Sequence, residues 1–365
     1  MKIMILAEEN DNHTAPLKWA LEQAGYNVVC WAGMGWTPEK QASISFSDDE
    51  TRMTLGPHTI EPGDVVWVRR PQRPRSHPQV APADKKFSDE EYRWFFHAVM
   101  YTLETLPVRV VNRYTASRFI NNKSVQLLFA RQCGLKVPHS LMSNSPEAVK
   151  EYMRNSPERL ICKAFFPHIW QKPDGHSFAV TETFELKPDM LPADEVLSYA
   201  PAIYQEMVVK DFDVRMVLLG NSVYSASLHN PKGAIDRRQD AGQGLVKVEA
   251  IATPPEIERG ILEFARRSGI AYGSFDFAVD AQGQWWFLEV NEGGQFLWLD
   301  DNNRSLHIQE KFLAFLTAPE GASREEIERR QLEFPSWQDF LDSPAKDQIP
   351  AEEPDPEVAF MSKEP

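Results

Sequence analysis

No stretch of this chain approaches the roughly 20 consecutive apolar residues that a membrane-spanning helix needs. Basic charge is short as well. The 39 lysines and arginines stand against 53 acidic residues, and the net charge of −14 is the opposite of a nucleic-acid binder's footprint. Much of that acidic excess falls after Pro319 and says little about any site. Cysteine is scarce: Cys30, Cys133 and Cys162 lie far apart, in no CxxC or Cys/His ligand spacing. This fits a reducing cytoplasm, with Cys162 as a small apolar strand residue. Met1–Ala7 reads as a strand and not as a signal peptide. Also missing are a GxxxxGK[ST] phosphate loop, an HRD kinase loop and a GxSxG nucleophile elbow. A bound nucleotide would need another fold to hold it, and serine-hydrolase chemistry has no support.

What is present is ordinary for a globular protein: 42% apolar and 25% charged residues in a chain of 365, enough for two to three compact units. Lys2–Ala7, a helix over Thr14–Ala24 closed by Gly25, and Tyr26–Trp31 form a β-α-β opening that predicts a small parallel sheet. Thr51–Leu55 and His58–Ile60 flank Gly56-Pro57 as a hairpin, and Asp64–Arg70 is a further strand. After a Pro-rich loop to Pro82 comes a helix over Ser88–Thr105, whose Trp94-Phe95-Phe96 reads as core. Character changes near Val108. Arg109–Val111 is a short strand, and helices follow over Ala116–Cys133 and Pro146–Met153. Strands are expected at Arg159–Phe165, Ser177–Phe184, Ala202–Val208, Asp213–Leu219, Ser222–Leu228 and Leu245–Ala250. Helix Glu256–Gly269 then precedes strands Gly273–Val279 and Trp285–Val290. This order predicts an α+β fold. It divides into an N-terminal α/β unit (1–107), a larger unit (108–318, split at 204/205) and a polar extension (319–365). The extension holds an amphipathic segment, Ser323–Phe334, and a Pro/Glu-rich tail from Ile349 expected to be disordered.

Chemistry concentrates near the end of the second unit. Asp276 interrupts an apolar strand, while Glu289 and Asn291 sit two apart at the end of the next and share a face. A hairpin through Gly283 brings Asp276 beside them. Two carboxylates and an amide oxygen are hard donors suited to Mg²⁺. Burying them among Phe275, Phe277, Trp286 and Leu288 is costly without a cation. The competing reading is solvated strand ends with one carboxylate paired to a local arginine. Upstream, Lys123 opens a helix after Asn121-Asn122, and Lys163 ends the apolar run Leu160-Ile161-Cys162. Either can hold phosphate as a point charge or stand as a surface lysine. Arg69-Arg70, at a strand end, can grip an acidic peptide bidentately or simply be solvated. Of the histidines, none spaced as a metal site, His229 is the candidate base; His13 and the others read as surface or structural groups.

Taken in order, these residues resemble the ATP-grasp superfamily over about residues 108–315. The matching run is Asn122-Lys123, Gly134-Leu135-Lys136-Val137-Pro138, Ile161-Cys162-Lys163 and Ile203–Val208. It continues with Asp213-Val214-Arg215, Asp236-Arg237-Arg238, Asp276 and Leu288-Glu289-Val290-Asn291. Within the superfamily the chain resembles the graspetide synthetases, the microviridin-ligase-like maturases of ribosomal peptides. That match rests on Val66-Trp67-Val68-Arg69-Arg70-Pro71, on Phe119–Lys123 leading to Pro138–Asn144, and on Gly294-Gln295-Phe296-Leu297 after the metal asparagine. The resemblance implies an ATP-grasp fold behind a pre-ATP-grasp domain, with ATP and Mg²⁺ as cofactors. It implies that Lys123 and Lys163 contact ATP phosphates, that Gln205, Glu206 and Val208 form the adenine hinge, and that Asp213 holds ribose. Arg215 and Arg238 would face the transferred phosphoryl or acyl-phosphate, and Asp276, Glu289 and Asn291 would bind Mg²⁺. The implied partner is a precursor peptide with a leader and an acidic core, closed by lactones or lactams between Asp/Glu and Ser/Thr/Lys side chains, and the implied assembly is a homodimer. There are departures: Ala164–Ser177 has one glycine where many ATP-grasp ligases have a glycine-rich loop, and Glu292 stands where proline is common.

A carboxylate is a poor electrophile. Activation as an acyl-phosphate lets a hydroxyl or amine attack it, and the protein's part is positioning and charge neutralisation. Arg238 is expected to neutralise the developing oxyanion; the alternative is a loop ion pair with Asp236 or Asp240. Two other functions compete: a stand-alone carboxylate–amine ligase of the glutathione-synthetase or RimK kind, and a non-catalytic nucleotide-binding module.

Overall fold

A computed structural model describes residues 1–9, 11–72, 74–166, 169–171, 178–181, 183–230 and 246–348. The β-α-β opening forms as expected: β1 (Lys2–Ala7), α1 (Thr14–Gln23) and β2 (Asn27–Trp31). A small antiparallel sheet follows, β3 (Ala42–Phe46), β4 (Thr51–Leu55) and β5 (His58–Thr59), then β6 (Val65–Arg70), α2 (Pro82–Leu103) and β7 (Arg109–Val111). β2, β1, β6 and β7 run parallel in that spatial order. Both faces of this sheet are covered, so its strands are apolar on both. Ile3, Ile5, Val65 and Trp67 pack with α1 and the C-terminal helices, while Met4, Leu6 and Val66 pack with α2 and the small sheet. β7, beyond the expected division at 107, is the edge strand of this first sheet. Helix α2 begins six residues earlier than expected because Pro82 takes its first turn, where a missing N–H costs nothing. On it Phe96 is core, but Trp94 is 65% exposed. Consecutive helical positions are turned about 100° from one another, so three aromatics in a row cannot share one face.

The second sheet is built from β8 (Ser140–Ser143), β9 (Leu160–Lys163), β12 (Phe184–Leu186) and β13 (Ala202–Glu206), in the order β12-β9-β13-β8. Before it come α3 (Tyr114–Ile120) and α4 (Lys123–Gln132), and within it lie α5 (Pro146–Asn155), a hairpin of β10 (Ile169–Gln171) and β11 (Phe178–Val180), and α6 (Asp194–Tyr199). The single strand expected over Ser177–Phe184 is therefore two strands in different sheets. The stretch Ala116–Cys133 holds two helices, the second opening at Lys123 as expected, where the Asn122 side chain caps α4 by accepting from Ser124 N.

The central sheet is antiparallel, ordered β16-β15-β14-β17-β18, from β14 (Lys210–Leu219), β15 (Ser222–His229), β16 (Lys247–Ile251), β17 (Tyr272–Asp280) and β18 (Trp285–Asn291). Helix α7 (Pro255–Ser268) joins β16 to β17. One face, with Val214, Met216, Leu218, Phe275, Phe277 and Phe287, packs on α4 and α7. The other, with Val217, Leu219, Ala226 and Tyr272, packs on α9 (Ile308–Thr317), which follows α8 (Leu297–Asn302). Asp300, 1% exposed, caps α9 by accepting from Ile308 N and Gln309 N at 2.9 and 2.7 Å, and burial pushes its carboxyl up to about 7. Polar as it is overall, the segment after Pro319 adds α10 (Arg324–Arg330) and α11 (Trp337–Asp342), which bury Ile327, Trp337 and Phe340 in the same core as α1. The Pro/Glu-rich tail lies outside the described residues. Among those described, no helix is long and apolar enough to cross a membrane.

Candidate active site

Along one face of β14 the side chains change from Leu219 and Val217, in the core, to Arg215 and Asp213. The register continues this polar end across the sheet. Arg215 pairs with Asp276 on β17, Asp276 with Glu289 on β18, and Ser274 with Asn291. The register shifts between Asp276 and Phe277, so that Phe287 pairs with Phe277 while Glu289 pairs with Asp276. This bulge at Leu288 changes the face: Phe287 enters the apolar cluster against α7, whereas Glu289 and Asn291 join Asp276 on the opposite side. The three expected donors thus share one face, as the hairpin reading required.

Each carboxylate has a basic neighbour. Arg215 Nη1 donates to Asp276 Oδ2 at 2.7 Å and Nη2 to the Gln295 carbonyl at 3.1 Å. Lys123 Nζ forms an ion pair with Glu289 Oε2. The arginine pairing set out above as the alternative is therefore real for Asp276. Glu289 keeps 44% of its side chain exposed and remains accessible to a ligand. Among the described residues no three His, Cys, Asp or Glu side chains converge as a metal site. The set here is two carboxylates and an amide.

Lys123 reaches Glu289 because α4 is fastened to β18. Gln126, 1% exposed, donates from Nε2 to the Ile120 and Val290 carbonyls at 2.9 Å each and accepts at Oε1 from Val290 N at 3.0 Å. Asn112 fastens the first sheet likewise: Nδ2 donates to the Tyr272 and Glu292 carbonyls, and Oδ1 accepts from Ala271 N and Tyr272 N. Neither residue was singled out from sequence. The available signal was a polar side chain on an otherwise apolar face, which a pattern reading passes over.

In the second sheet Lys163 Nζ donates to Gln205 Oε1 at 2.7 Å, and Gln205, buried, donates to Ser140 Oγ at 2.8 Å. Glu206 ends β13, its N bonded to the His139 carbonyl, and Met207–Val209 carries Val208 across to the central sheet. Asp213 is held by Lys210 Nζ at 3.0 and 2.7 Å. Two expectations fare differently. His229 faces away from the carboxylates: its ring packs on Phe212, on the face against α7, so the alternation of β15 separates it from Asp276. Arg238, like Asp236 and Asp240, lies outside the described residues.

The strand end of β6 divides its two arginines. Arg70 is exposed, whereas the Arg69 side chain is 0% exposed, its Nε directed at Asp11 Oδ2 at 3.3 Å. The solvated-terminus alternative therefore does not apply to Arg69. His13, expected as a surface or structural group, is 6% exposed, and its Nε2 accepts from Phe296 N and Leu297 N at 3.0 and 3.3 Å. Burial, reinforced by the charges of Arg69, Arg70 and Arg215, holds its pKa well below the usual imidazole range.

Two α+β units, each built on an antiparallel sheet and linked through Met207–Val209, form the ATP-grasp fold, and comparison with solved structures establishes it. A Chryseobacterium gregarium RiPP-associated ATP-grasp ligase, solved with ADP and a leader and core peptide, superposes with a TM-score of 0.75 at 22% identity, covering 88% of this chain and 99% of that one. The macrocyclase MdnC from Microcystis aeruginosa, bound to its precursor peptide MdnA, gives 0.69 at 22% over 87% and 99%. The ATP-grasp ligase PsnB, with a phosphomimetic minimal precursor, Mg and ADP, gives 0.66 at 22% over 87% and 97%. No protein-family model and no curated protein matches the sequence.

Proposed function

We propose that this protein is an ATP-dependent ligase that matures a ribosomally made precursor peptide, closing side-chain ester or amide links between Asp/Glu and Ser/Thr/Lys. The observation that carries this reading is the single face shared by Arg215, Asp276, Glu289 and Asn291, with Lys123 docked on Glu289. The likeness to ligases solved with ADP, Mg and peptides supports it.

The donor set fits Mg²⁺: two carboxylates and an amide oxygen on adjacent register positions leave room for phosphate oxygens and water. Mg²⁺ held by Asp276, Glu289 and Asn291 would neutralise phosphate charge. Lys123 and Lys163 add positive charge for the ATP phosphates, Gln205, Glu206 and Val208 line the hinge for adenine, and Asp213 is the ribose partner. Arg215 and Arg238 are the positive charges assigned to the transferred phosphoryl group. In the reaction a substrate carboxylate oxygen takes the γ-phosphoryl group and ADP leaves. A hydroxyl or amine then attacks the acyl carbon, phosphate departs, and the attacking group loses its proton. Arg70, exposed at the strand end, draws in an acidic core. The reading includes a cytoplasmic enzyme and a homodimer. His229 has no part in it.

Intact mass of an acidic precursor incubated with the protein, ATP and Mg²⁺ tests the proposal. A maturase removes one water per crosslink from one peptide and releases ADP in step. A stand-alone ligase instead adds the mass of a second molecule. No ADP release with any acidic, Ser/Thr/Lys-containing peptide would sink both.

A further inference from the structure

Across β15 and β16 the pair Leu228–Val248 fills its share of the core, but the next pair on that face is Ala226–Ala250. Two methyl groups stand where a leucine and a valine stood before. A cavity of about 130 Å³ is left between these strands and the segment Leu299–Ile308. Its inner wall is Ala226, Leu299, Leu306 and Ile308, each at most 5% exposed, while Ala250 is exposed and marks the open side. A space of this size has room for about one benzene ring.

Tyr224, Lys311 and Arg324 close the remaining side. Lys311 Nζ and Arg324 Cζ each lie 5.0 Å from the centroid of the Tyr224 ring. The two cations differ in what else they meet. Arg324 donates to the Val223 carbonyl and has Glu328 at 3.4 Å and Glu258 at 3.8 Å. Lys311 Nζ donates to the Leu306 carbonyl and makes no ion pair among the described residues. An ammonium has three hydrogens to place, so this one is under-partnered. Burial holds its pKa below the usual lysine range, against the pull of Asp300, Glu310 and Glu328. Asp300 is engaged by the two helix amides, and Glu310 Oε1 by His307 Nδ1. Tyr224 is a second donor. Ser222 and Arg324 approach its hydroxyl, yet that hydroxyl stays buried without a formed hydrogen bond among the described residues. Burial pushes its pKa up to about 12, so it keeps its proton.

Donors beside an aliphatic wall call for an anion carried on an apolar body. One unpaired ammonium matches a monoanion, whereas a phosphate dianion brings more charge than the cavity compensates. Water meets the donors but leaves the aliphatic wall hydrated. We propose that this cavity binds a small organic carboxylate, an aromatic or branched aliphatic acid with about six apolar heavy atoms. Its carboxylate accepts from Lys311 Nζ and the Tyr224 hydroxyl, and its body packs on Ala226, Leu299 and Ile308. The site goes beyond the ligase reading and does not depend on it. It lies one strand away from the reactive face, since Ala226 is the register partner of Arg215.

The test follows the ¹H–¹³C methyl resonances of Ala226 and Ala250 in the full chain against three probes: benzoate, its neutral isostere benzamide, and inorganic phosphate. Benzoate is expected to shift both methyls saturably, with a dissociation constant on the order of 1 mM for a ligand of its size. Benzamide and phosphate are expected to leave them unmoved over the same range. Lys311→Met, similar in length and without the charge, weakens benzoate by about tenfold or more, the loss of one hydrogen bond to a charged group. It keeps the melting temperature, because the charge it removes is incompletely paired. Lys311→Gln repeats the comparison should the methionine variant fail to fold. Ala250→Leu fills the space from its exposed side and abolishes the response of the Ala226 methyl. The site is overturned if benzoate moves neither methyl in the unaltered protein, or if benzamide or phosphate binds as well as benzoate. It is equally overturned if a folded Lys311 variant or Ala250→Leu binds benzoate unchanged.

Discussion

Gln126 and Arg69 are both buried polar side chains beside the end of β18, and they behave oppositely. Gln126 meets a partner at both its polar atoms, as Asn112 does on the neighbouring strand β17. Arg69 leaves its terminal nitrogens unmet, and His13 leaves one ring nitrogen. Groups that complete their bonding within the fold fix α4 and the first sheet against the central sheet. Groups that do not stay buried without a hydrogen-bond partner among the described residues.

The contrast can be broken most directly at the reactive face. Asp276→Asn or Glu289→Gln should lower ADP release by on the order of a thousandfold, the loss typical of a preorganised charge-stabilising group, with the circular dichroism spectrum unchanged. A variant that kept its rate would move the chemistry elsewhere. Next in size, Gln126→Ala strands Val290 N and the Ile120 and Val290 carbonyls and should cost about 3 kcal/mol in denaturant unfolding. Arg69→Met should cost nothing there. Equal losses in the two variants would erase the distinction.

Asp300 sharpens the contrast from a third direction, since it meets two backbone donors and is still strained by burial. Its folded pKa of about 7 exceeds the ordinary 3.8, so the folded state binds the extra proton. Its contribution to stability is fully present below about pH 4 and is lost as pH rises through 7. Between about pH 5.5 and 7.5 that amounts to about 2 kcal/mol. Asp300→Asn should flatten this slope, checked by urea unfolding at both pH values, and an unchanged slope would assign the titration to another group. Smallest is the exposed pair Lys150–Asp194. Lys150→Gln should change stability by less than about 0.5 kcal/mol.

Much of this was readable from residues. The trio Asp276, Glu289 and Asn291 could be grouped because a strand alternates its faces and Gly283 turns the chain. The β-α-β opening followed from an apolar run, a helix stop and a second run. What escaped was set by tertiary context. No local pattern marks the bulge at Leu288, which sends Phe287 and Glu289 to opposite faces. His229 failed as a base because sequence proximity to the Asp236 loop says nothing about which face β15 turns. His13 was passed over because a lone histidine beside a helix start acquires meaning only when three arginines from distant strands surround it. The extension after Pro319 looked polar, since only every third or fourth residue of its short helices reaches the core.

The central claim is that Asp276, Glu289 and Asn291 jointly hold a divalent ion with a nucleotide. Electron paramagnetic resonance of Mn²⁺, titrated in the presence of ADP, tests it most directly. The account predicts one saturable, nucleotide-dependent Mn²⁺ site in the unaltered protein, lost when all three residues are replaced by alanine in a chain that still folds. Unchanged Mn²⁺ binding in that variant would contradict it.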